Sequence, residues 1–416
     1  MIAKRIFFVS LWLSAVLTAS AQQAFTLKHA LEVSKANNPF LKSAALNIPI
    51  AKADIVTAGL RPNPVLNNQT LFLANSSNFA PDTKVYNPKN RQVWWQLTKQ
   101  FQMSHQREYK IEVAEKNAVV AGNAYTDAER NVLLDAGTRW LDAWLSSVNL
   151  ELINEAKSNI DTLVQANEIR LKNQVISLSE LTRTQLLSDQ YLLQQKSATQ
   201  AYLTALKNLV LVTGIKDTMA IDTSDPVISM AFIDKADSLI QLSFQHRGDV
   251  LAAIGSIDAA KSNIRLQKAF SKPVPELGFI WNPQNTVPYF GVFGTIELPF
   301  FSRNQGEIRK SKVVLQQTEQ SLYALQQQVR TEVQTSYDAY KLSSETVNKY
   351  TLILQRAEQV LQSVKYAYTR GGTTIIDFLD AQRTWFDTQK NYYDAVYTYR
   401  KNYLQLLYVT GLINQL

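Results

Sequence analysis

The chain has no cysteine, and that one absence removes disulfides, thiolate metal sites and cysteine nucleophiles together. Histidine is almost as scarce: His29, His105 and His246 are the only three, isolated on helical or loop segments. No two of them have metal-ligand spacing, and neither a nucleophile elbow nor a phosphate-cradling glycine loop appears. The chain therefore reads as a non-enzyme with no cofactor and no metal site. Proline and glycine are sparse, at 12 and 13 residues in 416. Between Gly306 and about Thr369 neither occurs, which leaves room for a helical rod on the order of 90–100 Å at ~1.5 Å per residue. Past the first 21 residues no apolar run reaches the ~18 residues expected of a spanning helix. If such a chain is exported and spans a membrane, it must do so as a closed β-barrel.

Export is expected. Lys4 and Arg5 precede the apolar stretch Ile6 to Leu17 and the small residues Ala19-Ser20-Ala21. Residues 1–21 thus read as a secretory signal peptide, with the mature chain starting at Gln22. No cysteine follows the cleavage site, so a lipid anchor on an N-terminal Cys is excluded. The formal charge of +8 is scattered along helical stretches and not clustered with aromatics. That is a solvated polar surface, with no nucleic-acid patch.

What is present is a duplication. Thr213-Gly214 and Thr410-Gly411 each close a long apolar-periodic segment, 197 residues apart. At the same offset Gln174 to Leu181 falls on Gly371 to Phe378, Gln185 on Gln382 and Tyr202 on Tyr399. Nearer the start of each half the offset is 209: Leu41 to Ile55 falls on Val250 to Ile264, and Pro64 on Pro273. The difference places a net insertion within 74–91. A period near 200 is too long for a solenoid and reads as two copies of a whole module. The expected division is a first repeat over 22–214, a linker over 215–235 and a second repeat over 236–416.

Each copy alternates helix, hairpin and helix. In the first, Thr26 to Leu60 has helical spacing with a break at Asn37-Asn38-Pro39, and Arg61-Pro62-Asn63-Pro64 stops it. A β-hairpin is expected over about 65–101, then a long helical hairpin over about 102–212. In the second, the hairpin is expected over about 276–298 and the helical hairpin over about 304–411. The strands alternate. Val93, Trp95 and Leu97 share one face, and Gln92, Trp94, Gln96 and Thr98 the other. Trp94, Trp95, Trp281 and Tyr289 read as membrane-interface aromatics near strand ends, in strands of the ~9–11 residues that a tilted membrane strand requires. Two soluble hairpins capping a helical domain would share this pattern.

In the rods, Val347, Tyr350, Leu354, Ala357, Leu361, Val364 and Tyr368 advance by alternating threes and fours, a coiled-coil seam. The first-half equivalents run from Leu150 to Leu171, with polar interruptions that include Lys157 and Asn167. In the last helix, Phe378 to Leu406 carries one such seam, and Leu379, Phe386, Tyr393 and Tyr397 an adjacent face. Two buried faces call for neighbours on both sides, as in a closed helical wall or a four-helix bundle.

At Glu297-Leu-Pro-Phe-Phe-Ser-Arg-Asn-Gln-Gly306, and at Tyr368 to Ala381 ("YTRGGTTIIDFLDA"), the chain resembles the TolC family of outer membrane efflux proteins over essentially its whole mature length. Arg61-Pro-Asn-Pro64 resembles the branch that includes CzcC, which serves heavy-metal efflux. The resemblance implies a mainly helical chain with a transmembrane β-barrel portion. Three protomers would share a twelve-stranded barrel in the outer membrane and a periplasmic α-barrel. It further implies a passive exit duct that docks onto a periplasmic adaptor and, through it, an inner-membrane pump of RND type. A soluble periplasmic coiled-coil adaptor or scaffold is the alternative. Docking would use Asn173, Gln174, Val175 and Ser177 at one tip and Gly371, Gly372, Thr373 and Thr374 at the other. Tyr368, Asp377 and Asp380 match the motif that closes such channels. Thr373 stands where the family carries an arginine, so Arg370 or Arg183 is expected to substitute. Asp377 has a second reading as a helix cap, and Tyr368 as packed core.

Overall fold

The computed structural model describes residues 25–215, 220–224, 235–284 and 287–416. The expected signal peptide and most of the expected linker lie outside the described residues. The chain runs through α1 (Leu27–Asn37), α2 (Pro39–Ala45), α3 (Asn47–Gly59), β1 (Val65–Phe72), β2 (Arg91–Gln100), α4 (Gln106–Lys172) and α5 (Leu178–Thr213). It continues with α6 (Ala236–His246), α7 (Gly248–Phe270), β3 (Pro275–Gln284), β4 (Val287–Ile296), α8 (Gln305–Thr369) and α9 (Ile375–Thr410). The expected break at Asn38 is built from its own side chain, whose Oδ1 accepts from Leu41 N while Pro39 takes the first helical position. A second break, at Leu46, was not anticipated. It lies three residues before Pro49, whose ring has no N–H and crowds the carbonyl of Ala45.

The strands form one antiparallel sheet in the order β1-β2-β3-β4. Its register sorts every side chain to a face, because strand side chains alternate. Leu66 lies opposite Leu97, Leu97 opposite Phe279 and Phe279 opposite Val292, while Trp95 pairs with Trp281 and Trp281 with Phe290. The other face carries Asn67 opposite Gln96, Thr98 opposite Gly278, Glu276 opposite Thr295 and Asn282 opposite Tyr289. The first face is mostly apolar and exposed; the second is more polar, though Trp94, Ile280 and Phe293 also lie on it. Phe290 is 75% exposed and Val292 73%.

Two helical hairpins, α4–α5 and α8–α9, project from the sheet, and α8 alone has 65 residues, about 100 Å at ~1.5 Å each. The two hairpins meet through α4 and α9. The seam from Val347 to Tyr368 is the inward face of α8: all seven positions are half-buried or buried, whereas Leu352 and Val360 between them stand 57% and 53% exposed. The main core lies where α1 and α9 cross α4, around Trp140 and Trp144. Their indole nitrogens donate to Phe25 O at 2.7 Å and Thr223 O at 3.1 Å. Each ring thus buries its apolar area without stranding a polar atom.

The duplication holds at the level of single hydrogen bonds. Ser34 and Ser243, 209 apart, each donate one turn back, to Ala30 O and Ile240 O. Asn38 Nδ2 donates to Val212 O at 2.8 Å, and Arg247, its counterpart, donates through Nη1 to Val409 O at 3.2 Å. The first copy uses a neutral amide where the second uses a charge, and the charge needs partners. Arg247 bridges Asp249 at 2.7 Å and Glu332 at 2.6 Å, and Arg130 joins Asp127, Asp249 and the Tyr408 carbonyl. Burial alone would raise the Asp249 carboxyl. The Arg247 hydrogen bond, with the charges of Arg130 and Arg247, holds it below the usual carboxylate range.

The repeated Thr-Gly pairs end α5 and α9 in left-handed backbone, with Gly214 at φ +68° and Gly411 at φ +76°. A side chain at Gly411 would also lie 2.8 Å from the His246 carbonyl carbon. Gly411→Ala is therefore expected to destabilise the fold by about 1–3 kcal/mol in denaturant unfolding. Gly306→Ala, with open space around its Cβ, should be neutral or slightly stabilising.

Candidate functional site at the helical tips

Both hairpins reverse within five residues, and both return helices start from a capping box. Ser177 Oγ accepts from Glu180 N, and Glu180 Oε2 accepts from Ser177 N at 2.8 Å. At the other tip Thr374 Oγ1 accepts from Asp377 N, while Asp377 Oδ2 accepts from Thr374 N at 3.1 Å and from the Thr373 and Thr374 hydroxyls at 2.7 Å each. Within the protomer Asp377 is thus a helix cap. The Thr374 hydroxyl, then the Thr373 hydroxyl and the Thr374 amide, hold its carboxyl below the ordinary range. The reversal needs a left-handed residue, which is Gly371 at φ +75° in one tip and Gln174 at φ +58° in the other. Asn173, Gln174, Val175, Ser177, Gly371, Gly372 and Thr374 are exposed and Thr373 is half-buried, so the tip presents its backbone turn to its surroundings.

Just inside the tip, Tyr368 joins the two hairpins. It is buried, its ring stacks on Phe378 at 5.1 Å, and its hydroxyl donates to Asn167 Oδ1 of α4 at 3.3 Å. The Arg170 guanidinium lies 5.0 Å from the same ring. Neither Asn167 nor Arg170 stood out as a site residue in the sequence, although Asn167 was visible as a polar residue in an apolar seam. The other such residue, Lys157, is explained by Asp161, which takes its ammonium at 2.5 Å and the Ser188 hydroxyl of α5 at 2.5 Å. Above Tyr368 a groove of about 620 Å³ runs between the hairpins, lined by Arg170, Tyr191, Lys365, Trp385 and Phe386 among others. Asp380 and Arg183 are exposed, with no hydrogen bond or ion pair among the described residues; exposed Arg370 only stacks on Tyr366 at 4.3 Å. The five expected gate residues therefore do not meet within one chain.

The four residues of the expected aromatic belt divide between the two faces of the sheet. Trp94 and Trp95 are adjacent and so face opposite ways: Trp94 pairs with Gln69 on the polar face, and Tyr289 shares that face opposite Asn282. Trp95 and Trp281 do lie on the apolar face, but Trp95 is the fifth residue of ten in β2, at mid-strand rather than at an end.

Residues 239–412 match the family model described as outer membrane efflux protein. The chain is 22% identical over 320 residues to the outer membrane protein TolC of Vibrio cholerae, covering 73% of each. Its fold superposes on CusC with a TM-score of 0.78 at 17% identity, covering 94% of this chain and 92% of that one. A membrane protein from Pseudomonas aeruginosa superposes with a TM-score of 0.77 at 16% identity, covering 92% of both chains.

The lowered Asp377 carboxyl makes the cap pH-dependent. Its contribution to the tip is complete above the ordinary carboxylate range and is lost as pH falls through the lower folded value. Amide protection at the start of α9 should therefore fall on acidification, read by hydrogen exchange corrected for intrinsic rates. Asp377→Asn should lose that pH dependence.

Proposed function

Because this chain belongs to the outer membrane efflux protein family, and so is a non-enzymatic outer-membrane efflux channel with a large periplasmic helical portion, we propose that it is the passive exit duct of a tripartite system. The observation that carries this reading is the sheet. It is four strands wide, apolar on one exposed face, and unpaired at both β1 and β4 among the described residues. Ten residues of β4 at ~3.3 Å each, tilted by ~45°, cover about 23 Å, close to the apolar band of an outer-membrane barrel. Three chains would close twelve strands, each lending its helical hairpins to one wall below. A soluble scaffold has no use for an apolar sheet face of this kind.

On this reading the exposed tips, residues 173–177 and 370–374, meet a periplasmic adaptor that links the duct to an inner-membrane pump of RND type. The Tyr368–Asn167 bond and the Arg170 contact strap the second hairpin to the first. Asp380, unpaired among the described residues of its own chain, would repeat three times around the axis. Like charges in a narrow throat resist closure unless cations or arginines compensate them, which is the role left to Arg183 and Arg370 of neighbouring protomers.

Planar-bilayer conductance tests this gate. Tyr368→Ala and Asp380→Ala are each expected to raise single-channel conductance several-fold over the unmodified protein, with Tyr368→Phe intermediate. Unchanged conductance in Tyr368→Ala would remove the strap from the closing set.

A further inference from the structure

The groove between the hairpins opens because one helix turns short side chains toward it. Ala156, Asn159, Thr162 and Ala166 follow each other by threes and fours along that face of α4. The facing seam of α9 is left partly uncovered. Gln382, Trp385 and Gln389 are only half-buried there, and none of the three forms a side-chain hydrogen bond among the described residues. Beside Trp385, Phe386 meets Tyr191 of α5 edge-on at 5.5 Å. The opening of about 620 Å³ thus has an aromatic lining set with unpaired amide and indole groups.

Four charged residues line the groove, and they are sorted by end. Both α4 and α8 run from the sheet to the tip. Glu155 and Glu358 therefore mark the end toward the sheet, and Arg170 and Lys365 the end toward the tip. At ~1.5 Å per residue, Glu155 and Arg170 lie about 22 Å apart along α4, and Glu358 and Lys365 about 10 Å apart along α8. None of the four makes a salt bridge or a side-chain hydrogen bond among the described residues; Arg170 only rests on the Tyr368 ring.

We propose that this groove binds an elongated aromatic zwitterion: its anionic group lies between Arg170 and Lys365, its ring against Trp385 and Phe386, and its cation toward Glu155 and Glu358. Size and charge select a small molecule over a partner helix. The opening falls within the ~300–1,000 Å³ of small-molecule sites. A helix ~10 Å across would fit about one and a half turns into it, too few for anchors that repeat over two turns. A ligand of one sign would leave the like-charged pair at the far end unanswered, and an uncharged one would leave both pairs so. Arg170 supplies the planar fork that matches a carboxylate. Bound there, the ligand bridges α4 to α8 and α9, adds to the Tyr368–Asn167 strap and favours the closed tip. The site stands on this chain alone, whereas its closing effect rests on the duct reading proposed above.

The probe is para-(para-aminomethylphenyl)benzoate, a rigid zwitterion whose charged groups are about as far apart as Glu358 and Lys365 along α8. Equilibrium dialysis against the full-length channel in detergent measures its binding, with para-phenylbenzoate as the anion-only comparison. One saturable site per chain is expected, weakened about ten-fold by Ala166→Trp, which fills the groove and leaves every charge in place. Lys365→Gln should weaken both probes several-fold, and Glu358→Gln the zwitterion alone. All three positions are exposed, and circular dichroism melting checks that each variant folds. Absence of saturable binding, or binding indifferent to Ala166→Trp, overturns the site. Equal sensitivity of the two probes to Glu358→Gln overturns the assignment of a zwitterion. In planar bilayers the zwitterion should lower single-channel conductance several-fold, and binding with conductance unchanged overturns the bridging role. A protein that binds the probe yet forms no pore fails the duct reading and leaves the site standing.

Discussion

The constraint on which everything else depends is the pair of open sheet edges. A β-sheet strand satisfies its backbone only through neighbours, and among the described residues β1 and β4 each have a neighbour on one side alone. In water an edge is tolerable. Here the face beside it is apolar, with Leu66, Leu97, Phe279, Trp281, Phe290 and Val292 exposed, so water suits neither the face nor the edge. In hydrocarbon every unpaired peptide group costs several kcal/mol, which makes closure with other chains a condition of insertion. The helical rods follow from that closure. A sheet that must join its copies at one end fixes the spacing of hairpins that extend about 100 Å beyond it.

Duplication gave the chain two hairpins of each kind, and the copies diverged where they carry different burdens. The break between α1 and α2 is held by the Asn38 amide, while the equivalent break between α6 and α7 is held by Arg247 inside a cluster of buried and half-buried charges. A neutral amide needs one acceptor. A buried guanidinium needs carboxylates, and Asp249 and Glu332 supply them. The tips diverged similarly: Gly371 adopts left-handed backbone freely, whereas Gln174 adopts it at a steric cost within a turn closed by Val175 N donating to Arg170 O.

Much of this was legible in the sequence because it was local. The ends of α5 and α9 fall within a residue of the expected positions, since Ser177, Thr374 and the Thr-Gly pairs are strong start and stop signals. The break at Leu46 was missed because Pro49 sits inside an otherwise regular apolar spacing. Trp94 and Trp95, expected near a strand end, lie toward the middle of β2 for a different reason. Alternation says which residues share a strand face, but only pairing across strands says where along the barrel a residue lies. Asp377 had two readings in the sequence, and the cap is settled by three hydroxyl and amide donors that converge on one oxygen. Asn167 shows the reverse case: a polar residue in an apolar seam looked like a defect and is the acceptor that ties the hairpins together. Asp380 and Arg183 stand without side-chain partners among the described residues, and the gate proposed for them lies between copies, which a single chain does not display.

The most direct test of closure joins the two edges. With no native cysteine in the way, a cysteine at Gln69 in β1 can be combined in turn with one at Tyr289, Gly291 or Phe293 in β4, all on the same face of the sheet. Oxidation of the membrane-inserted protein should yield, for the matching register, a covalent ladder of one, two and three chains that stops at three. A product that remains a single chain at every register, in protein shown to be inserted, would contradict the account.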